Sequence, residues 1–153
     1  MPKPSLSLFG FGKFGKLVAS VLRAEGFPLA IAAFENSPEE KADAARIGAD
    51  LLPFDDAAKK EILLLTAPIS ATEELLKTLA PQLRPGQLVL DFCSVKEQPC
   101  RWLKEILPRS KEGAGDRAEN RRGADAIERC VGGAGWVRDE ETEFDNIRVF
   151  WQE

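Results

Sequence analysis

The residues best suited to chemistry come early. Gly10-Phe11-Gly12-Lys13-Phe14-Gly15 follows the apolar run Leu6–Phe9 and opens an amphipathic pattern. In such a turn each glycine has its own use. The first permits a tight bend, the second lets a ligand approach the bare backbone, and the third lets helix and strand pack closely. The helix that follows offers unpaired N–H donors and partial positive charge at its N-terminus. That combination recognises the pyrophosphate of a dinucleotide, NAD or NADP. Phe11, Lys13 and Phe14 are counted with the loop as cofactor-binding candidates. The alternative is a glycine turn that holds no ligand.

Three further groups could share that ligand. Glu35 lies 20 residues past Gly15, where a carboxylate accepts hydrogen bonds from adenosine ribose hydroxyls and repels a 2′-phosphate. It therefore favours NAD. A solvated strand-end glutamate is the competing reading, and Asn36 or Ser37 could occupy the same position. Thr66-Ala67-Pro68 leaves an apolar run at the end where ligands bind in open parallel sheets, and it suits a wall beside the ribose or nicotinamide. A plain loop before a helix explains it equally well. Asp91-Phe92-Cys93-Ser94-Val95-Lys96 lies at the same edge, so Ser94 and Lys96 are catalytic candidates. Ser94 to Glu97 also spells a capping box, which would make Ser94 a helix cap and Lys96 a surface residue.

The elements that must position these groups alternate. Apolar runs at Leu6–Phe9, Leu29–Phe34, Leu51–Phe54, Ile62–Thr66 and Leu88–Phe92 predict five strands. Phe14, Leu17, Val18, Val21 and Leu22 share one helical face. Ser37-Pro38-Glu39-Glu40 supplies a cap, a first-turn proline and a capping-box glutamate, and Gly48 ends that helix. Ser70 to Glu73 predicts a second capping box, opening a helix through Leu75, Leu76 and Leu79. Trp102, Leu103, Ile106 and Leu107 mark a last helix before Pro108. This rhythm predicts an α/β fold, a Rossmann-like doubly wound parallel sheet followed by an irregular or partly disordered tail.

Composition divides the chain at residue 108. Residues 1–108 hold 18 leucines and residues 109–153 none; lysines fall from 9 to 1 while arginines rise from 4 to 7. We read 1–108 as a dinucleotide-binding domain and 109–153 as a linker or atypical tail, with one short strand at 147–151. Hydrophobic residues make up 44% of the chain, enough for a core, and the net charge of −4 argues against a nucleic-acid partner. No apolar run reaches the ~20 residues that span a bilayer, and the start lacks a signal-peptide plan, so a cytoplasmic protein is expected. Cys93, Cys100 and Cys130 are too sparse for a disulfide framework or a metal knuckle, and no metal site is predicted. If the sheet lacks a sixth strand, its bare edge favours a homo-oligomer.

These residues together resemble the cofactor domain of the prephenate/arogenate dehydrogenase family. The resemblance rests on LSLFGFGKFGKLVASVL, LLLTAPISATEELLKTLAP and LVLDFCSVKEQPCRWLKEILP, and covers residues ~5–108. The Asp-x-x-Ser-Val-Lys segment is the discriminating part, and the spelling is nearest to plant-type arogenate dehydrogenases. The resemblance implies an NAD(P)-dependent oxidoreductase acting on prephenate or arogenate in tyrosine biosynthesis. Hydride passes from the ring carbinol to the cofactor, the ring carboxylate leaves, and the ring becomes aromatic. It also implies that Ser94 hydrogen-bonds near the substrate hydroxyl, that Lys96 helps hold the site, and that Gly10, Gly12 and Gly15 carry the phosphates.

The sequence departs from that pattern in three respects. The family carries a catalytic histidine in a His-Pro-x-x-Gly-Pro stretch about twenty residues after the serine; here that region is Lys111–Asp116, and the chain has no histidine. The family's C-terminal helical domain has no counterpart in these residues. Plant-type members often have an arginine-containing segment after the second strand, where this chain has Glu35-Asn36. Two functions are therefore carried forward: an oxidoreductase of this type reduced to its cofactor domain, and a non-catalytic NAD(P)-binding module.

Overall fold

The computed structural model describes residues 3–84, 87–92, 101, 102, 105, 127, 136–138 and 147–152. Strand β1 (Leu6–Phe9) leads into helix α1 (Lys13–Ala24), then β2 (Leu29–Ala32), α2 (Pro38–Ile47) and β3 (Asp50–Leu52). A single turn of helix, α3 (Phe54–Ala57), precedes β4 (Ile62–Leu65), and α4 (Ile69–Leu79) runs into a 3₁₀ turn at Ala80–Gln82 before β5 (Leu88–Asp91). Strands β6 (Trp136–Arg138) and β7 (Ile147–Gln152) follow. Among the described residues no helix is long and apolar enough to cross a membrane.

The sheet order is β3-β2-β1-β4-β5-β7-β6. The first five strands are all parallel, as a doubly wound fold requires. β7 takes the sixth position, parallel to β5 with Val89 opposite Ile147, and β6 closes the sheet antiparallel to β7. The bare edge of β5 that would favour self-association is thus covered.

The strands β1, β2, β4 and β5 are buried at every position, which explains their uninterrupted apolar spelling. Alternate residues face opposite ways. Leu6, Leu8, Ile31, Ile62, Leu64 and Leu90 meet Val18, Ala19 and Leu22 of α1 on one face. On the other, Phe9, Leu63, Leu65 and Val89 meet Ala57, Leu76 and Leu79. Each such large side chain contributes about 1.5–3 kcal/mol by leaving water. Ile127 is fully buried in the first cluster and Trp102 packs against the second, so residues beyond β5 reach both sides of the sheet.

Several local readings are corrected. The strand expected to run to Phe34 ends at Ala32, and the one expected at Leu51–Phe54 is Asp50–Leu52, because Phe54 already starts α3. On α1, Leu17 is 61% exposed; Gly15 and Ala19 are buried instead, since the close approach of helix to sheet admits small residues on that face. The capping box at Ser70–Glu73 does not form. Pro68, with its fixed φ of −58°, starts α4 two residues earlier, and no side chain caps it. The Thr72 hydroxyl instead donates back to the Pro68 carbonyl at 3.1 Å. The Ser94 capping box lies outside the described residues.

Candidate functional site

The parallel register brings the carboxyl ends of β1, β4 and β5 level, with Phe9 opposite Leu65 and Leu65 opposite Asp91. The chain diverges at β1, whose neighbours are β2 and β4. A crevice opens at such a switch point, and here its first wall is the glycine loop.

Gly10 turns with φ of +111°, and a Cβ there would sit 2.3 Å from the Ala67 backbone nitrogen. A Cβ on Gly15 would sit 2.0 Å from the Gly10 carbonyl oxygen, so α1 crosses the loop at backbone contact. The buried Thr66 hydroxyl fastens this junction, donating to the Gly10 carbonyl at 2.7 Å with the Phe9 carbonyl 3.2 Å away. Gly12 differs from both. Nothing lies within 4 Å of where its Cβ would be, and it is the N-cap of α1. No side chain caps that helix, and its first turn holds no acidic residue. Its end is therefore left with N–H donors and partial positive charge facing outward.

A cleft of about 900 Å³ runs from this loop to the chain after β2. Gly10, Phe11, Gly12, Ala67, Pro68 and Glu35 all line it. Lys13 is exposed but does not line the cleft, and Phe14 turns away to pack its ring 6.3 Å from that of Phe92. Gly15 and Thr66 stand behind the loop. Asn36 adopts a φ of +53° in the turn after β2 and does not line the cleft. Ser94 and Lys96 lie outside the described residues.

Sequence reasoning passed over several lining groups. Lys16 is ion-paired to Asp43 of α2 at 2.8 Å, and its ammonium lies 5.5 Å from the centre of the Phe11 ring. Hydrogen bonding to Lys16 holds the Asp43 carboxyl below the ordinary aspartate value of 3.8. Phe34 is 93% exposed at the cleft mouth, and Phe54, edge-on to Phe9 at 5.2 Å, lines the cleft deeper in. The sequence marks Glu40 as a capping residue only. Of these, Lys16 had a local signal, one residue past the glycine loop; Phe54 and Asp43 reach the cleft through long-range packing alone. Among the described residues no group of three metal-ligating side chains occurs.

The sheet order and glycine crossing define a Rossmann-like α/β domain. Residues 18–114 match the family model for the prephenate dehydrogenase nucleotide-binding domain. The chain belongs to that family. It is 30% identical over 106 residues to a probable arogenate/prephenate dehydrogenase of Methanocaldococcus jannaschii, covering 68% of this chain and 23% of that protein. The crystal structure of Synechocystis arogenate dehydrogenase superposes with a TM-score of 0.60 at 26% identity, over 67% of this chain and 37% of that one. That of Aquifex aeolicus prephenate dehydrogenase, in complex with hydroxyphenyl propionate and NAD+, gives 0.60 at 22% identity, over 71% and 40%. The chain spans less than a quarter of the length of the curated relatives it matches, 22% and 23% for two of them.

Proposed function

We propose that this chain binds NAD or NADP across the cleft between the glycine loop and Glu35, as the cofactor domain of an enzyme of the prephenate/arogenate dehydrogenase type. The observation that carries this reading is the uncapped N-terminus of α1 at Gly12, open toward a cleft that Glu35 also lines. The donors there suit a pyrophosphate, and Glu35 suits the ribose hydroxyls. Ala67 and Pro68 extend the wall. When bound, the cofactor supplies hydride acceptance.

The substrate we propose is prephenate or arogenate. Ser94 and Lys96 would serve it, Ser94 near the substrate hydroxyl and Lys96 in holding the site. The proton of that hydroxyl needs an acceptor, and this sequence has no histidine to provide one. A second reading follows from that fact: the 153 residues act as an NAD(P)-binding module without turnover of their own.

Titration with NAD+ and NADP+, followed by quenching of tryptophan fluorescence, tests the cofactor site. Saturable binding is expected, and its absence for both dinucleotides would overturn the proposal. A steady-state assay with prephenate and arogenate separates the two readings. Turnover at least ~10²-fold below a histidine-containing enzyme is expected from the loss of general-base help. Full activity would show that another group accepts the proton.

A further inference from the structure

Three consecutive backbone N–H groups converge just after β2, and one carboxylate occupies all of them. Phe34 N donates to Glu40 Oε1 at 2.9 Å, while Glu35 N and Asn36 N donate to Oε2 at 3.1 and 3.0 Å. The positive φ of Asn36, +53°, turns the chain directly after the third donor, into the helix that carries Glu40. Such a run of N–H groups is a concave anion site. Here the anion belongs to the chain.

The position of this filled nest matters because of the cleft it borders. Phe34, Glu35 and Glu40 line the same cleft as Gly12. With the pyrophosphate at α1, the adenosine ribose would reach toward the end of β2, and its 2′-substituent would face this turn. The cleft as a whole is lined by acidic groups, with Glu35, Glu39, Glu40 and Asp43 on its β2–α2 side, and the one cation among its lining residues, Lys16, is paired with Asp43 at 2.8 Å.

Resting on the dinucleotide reading above, we infer that Glu40 is a specificity-determining residue, an internal anion that takes the donors a 2′-phosphate would need. A ribose with a free 2′-hydroxyl loses nothing, because it needs no anion site and can donate to Glu35. A 2′-phosphate meets like charge and spent donors at once. Glu35 reads the hydroxyl; Glu40 rejects the phosphate. The two carboxylates thus act on opposite sides of one choice.

Binding of NAD+ and NADP+ to the full chain, compared for wild type, Glu40→Gln, Glu40→Ala and Glu35→Gln, tests this. Wild type should prefer NAD+. Both Glu40 variants should narrow the preference by about tenfold or more, mainly through tighter NADP+ binding, and the gain should shrink at high salt. Glu35→Gln should mainly weaken NAD+. Gly48→Ala controls for loosening of α2: it strains the far end of the helix, where φ is +82°, and should lower the melting temperature without changing the preference. In wild type alone, 5′-AMP should bind more tightly than 2′,5′-ADP, which differs from it only by the 2′-phosphate; this keeps the test decisive if a variant fails to fold. Equal affinity of wild type for the two nucleotides overturns the inference, as does an unchanged preference in folded Glu40 variants; either leaves the cofactor site standing. Absence of any dinucleotide binding to wild type overturns the site and the inference together.

Discussion

Two helices point their N-termini into one cleft, and they are finished in opposite ways. α1 begins at a glycine, with no side-chain cap and no acidic residue in its first turn. α2 begins at Ser37, whose hydroxyl accepts from Glu40 N at 3.2 Å, with Pro38 in the first turn and Glu39 and Glu40 beside it. Both ends carry the same partial positive charge. At α2 the chain satisfies that charge itself; at α1 it does not. The contrast shows where this protein leaves room for a ligand's negative charge and where it supplies its own.

Breaking the α1 side should have the largest effect. Gly10→Ala combines a φ of +111° with a Cβ 2.3 Å from backbone, so neither rotamer change nor side-chain movement relieves it. A loss of about 3 kcal/mol or more in stability, read by thermal or urea unfolding, is expected together with loss of dinucleotide binding. Gly12→Ala sharpens the comparison instead. Its φ of −82° suits any residue and its Cβ meets nothing, so the fold should survive at a cost of ~1 kcal/mol or less for a poorer cap. Dinucleotide affinity should nevertheless fall by about 10²-fold, because the methyl occupies the approach to the α1 donors. Normal affinity in Gly12→Ala would mean that the ligand does not approach there.

The α2 side should respond more mildly. Ser37→Ala removes one cap while leaving Glu40 on its three donors, and a loss of ~1 kcal/mol is expected by chemical denaturation. The smallest effect should come from Asp43, which ties α2 to α1 through Lys16. Its carboxyl is held below 3.8, so its contribution is present above that pH and is lost as pH falls through the lowered value. Melting temperatures of wild type should therefore drop on acidification below pH 3.8, and Asp43→Asn should lack that part of the drop. Parallel pH profiles for the two proteins would show that the ion pair adds nothing.

Much of the frame was legible because its signals are local. The five parallel strands read as apolar runs because buried β1, β2, β4 and β5 need no polar alternation. Ser37, Pro38 and Gly48 spell the ends of α2 and stand there in the fold, since a cap acts within four residues. Ser70 misled for the same reason: its spacing to Glu73 imitates a cap, but Pro68 decides the start of α4 through its ring. Leu17 misled because helical periodicity cannot tell which side of a helix lies close to a sheet. Ile127 had no signal at all, lying in a stretch without leucine yet fully buried in the core cluster that α1 shares with the sheet.

The glycine loop, the order of strands and helices, and the family follow from the spelling of the chain, because turns, caps and hydrophobic periods are short-range. What the spelling leaves undecided is which groups meet. Thr66 pins Gly10 from 56 residues away, Asp43 neutralises Lys16 from another helix, and Gly10 and Gly15 are held to glycine by backbone that packs against them. Glu40 lies between these cases. Its place four residues after Asn36 is written in the sequence, but its capture of three N–H groups depends on the turn that Asn36 makes, and the meaning of that capture depends on the cleft beyond it. Only the folded sheet sets β1 beside both β2 and β4, and so gives the two helix ends a common space in which to differ.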